Sequence, residues 1–385
     1  MDFDLNDEQR QLKDSLERLL AANYGDLNKR LSYMKQPKGY SDALWKQYAD
    51  LGLLAVPFAE EHGGLGQGLT ETMIIAEAFG RALAIEPYFA TVVLAGGALR
   101  HSGNSGQLTA LVPAIVEGKL TLALAHQERQ ARYDIADTAT TARADGKGGF
   151  TLEGEKNVVL AGDSADKLIV TARVSGGRAD RSGIGLFLID GKASGVTRRG
   201  YPTQDGMRAA DVTLSAVRVG PEAVLAAPEK GLPVLERVVD EAIAALAAEA
   251  VGGMAALHEL TVEYLKTRKQ FGVPIAKFQV LQHRMVDMLI HVEQARSMSY
   301  LAAMRAAEPP TAERRRALSA AKVVVGNACR FVGQQAVQLH GGMGVSDETV
   351  VSHLFRRLTA LEIELGDTGH HLEQFIAASN PAEGT

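Results

Sequence analysis

At 385 residues the chain is too long for one ordinary hydrophobic core, and its composition, 46% hydrophobic and 23% charged, is that of a globular protein with two or three packed units. A net charge of −5, a pI near 6.1 and the lack of long Lys or Arg runs exclude a uniformly basic face, so no nucleic acid partner is expected. Cys329 is the only cysteine, which excludes an intrachain disulfide and any CxxC centre and fits a reducing cytoplasm.

From residue 6 to about 118, apolar residues recur at helical spacing, as in Leu12, Leu16, Leu19 and Leu20 or Met73, Ile74, Ala76 and Phe79, which predicts a helical bundle. The acidic opening MDFDLNDEQRQLKDSLERLL is not a basic-then-apolar leader. The stretch PFAEEHGGLGQG, residues 57–68, is loop chemistry between two helices. Between about 120 and 225 the pattern changes to short runs, LTLALA, FTLEGEK, KLIVTAR, IGLFLID and DVTLSAVRV, separated by turn-forming clusters. These predict an antiparallel barrel or sandwich. From about 231 helical spacing returns, with Val239, Ile243, Leu246, Ala250, Met254 and Leu257 on one face of a long buried helix. Pro309 and Pro310 break the zone, a further helix stops at the glycines after LH, and the tail NPAEGT reads as disordered. The division is 1–119, 120–228 and 229–385. No apolar run approaches the roughly 20 residues of a membrane span, so a cytoplasmic protein with no span is expected.

Three polar stretches need an explanation. LEIELGDTGHHLEQF, residues 361–375, carries carboxylates and two adjacent histidines. Adjacent helical residues face different ways, whereas ligand pairs need i,i+3 or i,i+4 spacing, so His370 and His371 read as a polar surface or subunit contact and no metal is assigned. RKQFGVPIAKFQ, from Arg268, reads as a helix broken at Phe-Gly and restarted after a proline, and QAVQLHGGMG, from Gln335, as a helix ending in a glycine turn. Each also offers what a dinucleotide needs. Arg268 suits a pyrophosphate, Gln270, Gln279 and Gln338 carry amides, and Gly341 and Gly342 leave the backbone bare where phosphates approach.

Taken in order with the opening helix, the PFAEEHGGLGQG loop and GEKNVVLAGDSADKLIVTAR, these motifs resemble the acyl-CoA dehydrogenase family of flavoproteins over nearly the whole chain. The resemblance implies an N-terminal helical bundle, a middle antiparallel β-barrel and a C-terminal four-helix bundle. It also implies FAD bound partly across a subunit boundary, an acyl-CoA substrate and electron transfer to an electron-transferring flavoprotein. It places Arg268, Gln270 and Phe271 at the pyrophosphate side, Phe278 and Gln279 near the adenine, and Gln338 through Gly342 along the same moiety. Leu124 to Gln127 and Val158 to Leu160 fall against the flavin ring. The implied chemistry is removal of an α-proton by a base, with the thioester carbonyl accepting hydrogen bonds, while a β-hydride moves to the flavin.

The departures are specific. A Thr-Glu pair and a Gly-Ser-Asp of the family become Gln127-Glu128 and Tyr133-Asp134, and Tyr133 reshapes or blocks the thioester entry. Val158 stands in place of a stacking tryptophan, and Leu160 in place of a threonine that hydrogen-bonds the flavin. Leu365 stands where the base belongs, and Ala242 fills the alternative base position on the long helix. Glu364, one residue from Leu365, points about 100° away on a helix or turn. Two carboxylates lie near Ala242. Glu241 is weighed as a base against a solvated helix face, and Glu249 as a base, its pKa raised by burial, against a structural carboxylate of the bundle. Three functions follow: an acyl-CoA dehydrogenase acting alone, on fatty, dicarboxylate or steroid-derived thioesters; a dependent subunit of a heteromeric enzyme whose partner carries the base; or a flavin monooxygenase or oxidase on the same fold. GDTGHHL resembles the small subunits of two-component bacterial acyl-CoA dehydrogenases.

Overall fold

The computed structural model describes residues 5–379; the tail at 380–385 lies outside them. Helix α1 (Asp7–Tyr24) begins in a capping box, Asn6 accepting from the Gln9 N–H while the Gln9 side chain returns a bond to the Asn6 N–H. It is followed by α2 (Leu27–Met34), α3 (Asp42–Asp50), α4 (Leu69–Ala82), a wider π-type turn at Phe89–Ala95 that runs into α5 (Gly96–Ser102), and α6 (Ser105–Val116). Eight strands come next: β1 (Leu122–Ala125), β2 (Thr141–Ala144), β3 (Phe150–Leu160), β4 (Lys167–Arg173), β5 (Ile184–Asp190), β6 (Val196–Pro202), β7 (Arg208–Val219) and β8 (Val224–Ala226). The last part holds α7 (Gly231–Thr267), a small hairpin β9 (Lys269–Gln270) and β10 (Val273–Pro274), then α8 (Gln279–Ala306), α9 (Ala312–His340), α10 (Val350–Ile363) and α11 (Thr368–Ser379).

Two compact units result. One comprises residues 34–68 and 85–242, the other residues up to 33, 69–84 and 243 onward. They cut across the three sequence zones, because the N-terminal helices are shared out between them and α7 contributes its first turns to one unit and the rest to the other.

In the first unit the sheet runs β6-β7-β3-β2-β4-β5-β8, with β1 also paired to β4. The expected antiparallel barrel needs two corrections. Among the described residues β6 and β8, the ends of this path, do not pair with each other, so the sheet is not closed. It is also mixed, because one edge of β4 is shared by two parallel neighbours, β1 along Lys167–Val170 and β2 at Arg173. The signal lay in burial. LALA of β1 is buried at all four positions and β4 at six of seven, and continuous apolar runs mark strands covered on both faces. The core gathers Leu152, Leu168, Val170, Phe187, Val212 and Leu214.

In the second unit α9 packs against α8, α10 and α11. Cys329, on α9, is fully buried, and burial pushes its thiol up to about 12. Helix α7 follows the predicted span but is not striped: from Glu241 to Met254 every residue except Glu249 is buried, and Val239 at the edge of the predicted stripe is only partly covered. All-round burial of an alanine-rich segment reflects a close crossing. A Cβ on Gly80 of α4 would lie 1.9 Å from the Glu249 carbonyl oxygen, and one on Gly252 would lie 1.9 Å from that of Glu77. Two glycines, one per helix, let the backbones touch.

Candidate active site

The β-containing unit carries the first group of candidate residues. After β1 the chain turns through residues 126–140, and a buried ion pair fastens this loop to the sheet. Lys156, on β3 and 0% exposed, donates to Glu128 at 2.6 Å and to Thr171 Oγ1 at 2.9 Å. The same carboxylate accepts from the N–H groups of Ala139 (2.7 Å) and Thr140 (3.0 Å) and from Gln130 Nε2 (2.8 Å). Burial pushes Glu128 up, but Lys156 and these hydrogen bonds outweigh it and hold the group at about 2. Tyr133 lies half-buried in the turns of this loop.

Beside the loop, β3 bulges between Lys156 and Val159. The Asn157 N–H donates to the Gln127 carbonyl at 2.9 Å, which ties the bulge to the loop. Val158 takes φ +50°, a left-handed backbone that a β-branched residue rarely adopts, and its side chain is 45% exposed. Leu160 is partly buried. Asp211, opposite on β7, is held at about 2, chiefly by its bond from Arg199, and also accepts from Tyr201 Oη at 3.0 Å.

Glu241 corrects a sequence expectation. It is not on a solvated face: it is 3% exposed and accepts from Arg100 (2.9 Å) and Arg237 (3.0 Å), with His101 Nε2 at 2.9 Å. Burial acts to raise it, yet His101 and the guanidinium of Arg100 bring it down to about 2. A carboxylate so held is a weak base at neutral pH. Ala242 beside it is fully buried.

The helical unit carries the other candidates. Where the sequence suggests a broken helix, β9 and β10 form a two-residue hairpin with Phe271 (φ +55°) and Gly272 (φ +79°) at its tip, the backbone of a type I′ turn. The tip leaves Phe271 90% exposed, with its ring edge-on to Phe278 at 6.0 Å. Arg268, Gln270 and Gln279 are exposed beside it. Tyr264, in the last turn of α7, stacks on His340, in the last turn of α9, with ring centroids 4.3 Å apart. That contact brings the hairpin and the turn at Gln338 to Gly342 to one end of the bundle. Gly341 has φ +59° and ψ −138°, and a Cβ on Gly341 or Gly342 would meet nothing within 4 Å. Side-chain packing therefore requires neither glycine, although the backbone of Gly341 is one that only glycine adopts readily. A bare, exposed backbone beside an arginine, three amides and an uncovered phenylalanine fits the phosphates and flat rings of a dinucleotide.

The turn after α10 answers the question of the two histidines. Lys322, buried on α9, donates to the carbonyls of Leu361 (2.8 Å), Glu362 (2.9 Å) and Gly366 (2.9 Å). His371 Nε2 lies 3.0 Å from the Leu365 carbonyl. His371 is 5% exposed and burial pulls it down to about 4, so it is neutral and caps the turn, which corrects the polar-surface reading. Among the described residues no three His, Cys, Asp or Glu side chains are gathered as a metal ion requires. Leu365 itself is left-handed, φ +57°. Glu249, far from it in sequence, pairs with Arg357 at 2.6 Å, and Arg357 lies 3.7 Å from Glu364. Glu249 and Glu364 therefore share one guanidinium. Sequence reasoning missed Arg357, Lys322, Lys156 and Asp211; the one available signal was a charged residue inside an otherwise apolar run, as with Lys322 in SAAKVVVG.

Three family models match: "Acyl-CoA dehydrogenase, N-terminal domain" over residues 6–119, "middle domain" over 123–217 and "C-terminal domain" over 229–379. The mitochondrial isovaleryl-CoA dehydrogenase of Solanum tuberosum is 30% identical over 94% of this chain and 88% of its own. Among solved structures, a variant of the Tcur3481-Tcur3483 steroid ACAD superposes with a TM-score of 0.86 at 29% identity, over 97% of each chain. The FAD complex of PigA superposes with a TM-score of 0.89 at 25% identity, over 98% of this chain and 99% of that one. No helix among the described residues is long and apolar enough to cross a membrane.

Proposed function

This chain belongs to the acyl-CoA dehydrogenase family, an oxidoreductase class acting on the CH–CH bond of acyl-CoA, and from that premise we propose that it is the dependent half of a two-chain enzyme. A related partner subunit supplies the carboxylate that removes the α-proton. FAD is the cofactor and, when bound, accepts the two electrons lost from the substrate. Arg268 meets its pyrophosphate as a cationic fork, Gln270, Gln279 and Gln338 hydrogen-bond along it, Gly341 and Gly342 admit it, and Phe271 and Phe278 offer ring faces. Val158 and Leu160 form an apolar wall beside the flavin, and Gln127 adds an amide to it. Tyr133 narrows the thioester entry. The substrate is a fatty, dicarboxylate or steroid-derived acyl-CoA, electrons pass to an electron-transferring flavoprotein, and the enzyme works as a cytoplasmic tetramer in acyl-chain breakdown.

One observation carries the division of labour. Leu365, which the family resemblance aligns with the base, lies in a turn locked by Lys322 and His371, while Glu249, Glu364 and Glu241 are engaged by arginines. Removing a proton from carbon needs a carboxylate able to leave its partners, and none of these three is placed to do so. Exposed apolar side chains support a packing partner: Val280, Val286, Leu289 and Ile290 on α8, and Leu372 and Ile376 on α11.

The test is to purify the chain alone, record its flavin absorbance, and titrate acyl-CoA esters anaerobically while following bleaching at the flavin band. The expected result is no bleaching until a partner subunit is added. Bleaching by the chain alone overturns the division of labour, and Glu249→Gln and Glu241→Gln then identify the base. Fast reoxidation by oxygen marks an oxidase instead.

A further inference from the structure

The exposed ring, amides and glycines at the end of the bundle belong to two separate stretches of chain, the hairpin after α7 and the turn after α9. Each stretch is hung on an aromatic residue in the last turn of its helix. On α7 the Tyr264 carbonyl accepts from the Arg268 N–H at 2.8 Å and from Thr267 Oγ1 at 3.1 Å. The Arg268 carbonyl in turn accepts from the Ile275 N–H at 2.9 Å, which closes the hairpin. On α9 His340 is the residue before Gly341, whose N–H returns to the Gln338 carbonyl.

The His340 ring is fixed in place. Its Nδ1 lies 2.9 Å from the Ala336 carbonyl, which can only accept, so Nδ1 carries the proton and the ring plane is set. The residue is buried, and burial holds it below the usual histidine range, so the ring is neutral. Tyr264 lies on it with the ring planes 27° apart, and its hydroxyl donates to the His340 carbonyl at 3.4 Å. The stack therefore joins the turn that starts the hairpin to the turn that ends at the glycines. A donor set about 2.9 Å from a phosphate oxygen no longer bonds it once displaced by about 0.7 Å, so two segments grip one diphosphate only if the gap between them is fixed.

We propose that Tyr264 and His340 are a positioning pair: their stacked rings fix the gap between the Arg268 hairpin and the Gly341-Gly342 turn, so that the two together grip the diphosphate of one FAD. The inference rests on the reading that this end of the bundle binds FAD. Each ring acts through its neighbour in the chain, Tyr264 through Arg268 and His340 through Gly341.

The test compares Tyr264→Phe, Tyr264→Leu, Arg268→Ala and the double variant Tyr264→Leu with Arg268→Ala in the full-length chain, with the partner subunit present if FAD uptake requires it. FAD affinity is followed by quenching of flavin fluorescence, and the fold by circular dichroism of the FAD-free protein. Tyr264→Leu is expected to weaken FAD binding about fivefold, the order of one aromatic pair, while Tyr264→Phe, which keeps the ring, stays within about twofold of wild type. In the Arg268→Ala background the same leucine should cost less than about twofold, because the group that the ring positions is gone. Losses that simply multiply overturn the proposal, since a ring that only stabilises the bundle is indifferent to Arg268. Unchanged affinity in Tyr264→Leu overturns it too, as does an equal loss in Tyr264→Phe. Should Tyr264→Leu fail to fold, His340→Leu removes the other ring and carries the same comparison. A wild-type chain that takes up no FAD, alone or with a partner subunit, overturns the cofactor reading itself, and that outcome is separate because it needs no variant.

Discussion

The junction around Lys156 and the hairpin around Phe271 are opposites. At Lys156 a charge has been taken out of water, and every neighbour has been recruited to compensate: Glu128, Thr171, and through Glu128 two backbone N–H groups and an amide. At Phe271 an apolar ring stands almost wholly in solvent on a left-handed turn, and the glycines at the same end of the bundle face open space. The first region is complete by itself and holds a shape. The second is unfinished until something else covers it.

Acid should expose this difference most strongly. Glu128 and Glu241 sit at about 2 in the folded chain against 4.5 ordinarily, so their stabilising contribution is fully present above about pH 4.5 and is lost as the pH falls toward 2. Together they represent on the order of 7 kcal/mol. Urea unfolding followed from pH 6 to pH 3 should show the midpoint fall across that window, and a flat profile would deny that these groups are held as described.

Next in size is Lys156→Met, which strands a buried carboxylate and should cost about 3–5 kcal/mol. The double variant Lys156→Met with Glu128→Leu should recover most of that loss, since replacing both charges by apolar groups is often neutral. If the double variant is no better than the single one, the loop is fastened by something other than this pair.

The smallest expected change is at the other region. Phe271→Ala should alter the stability of the isolated chain by no more than about 0.5 kcal/mol, because the ring is already exposed. It should nevertheless weaken FAD retention or assembly, read by flavin absorbance after gel filtration. A large loss of stability in the isolated chain would break the contrast.

Much of this architecture was legible in sequence, and the limits follow from what periodicity can sense. Helix α7, the Pro309-Pro310 break and the strand zone all appear as local patterns. The parallel pairing of β1 with β4 does not, because LALA and KLIVTAR look alike whichever way the strands run. Spacing alone puts Glu241 on a solvated face, because Arg100 and His101 lie about 140 positions earlier. Glu249 meets Arg357 over a similar gap of 108 positions, and of the partners of Glu241 only Arg237, at i,i+4 spacing, was visible locally. The Phe271-Gly272 hairpin was hidden by its composition, since phenylalanine is a poor choice for a left-handed position and only an external reason for exposing the ring accounts for it.

The lone cysteine has one more use. Cys329 is enclosed at the centre of α9 with its thiol pushed up to about 12, so in the native state it is both unreachable and almost entirely un-ionised. A thiol-reactive dye added to the untouched protein should therefore record nothing but the rate at which α9 is laid open, a built-in clock for breathing motions that can be read without introducing a label site.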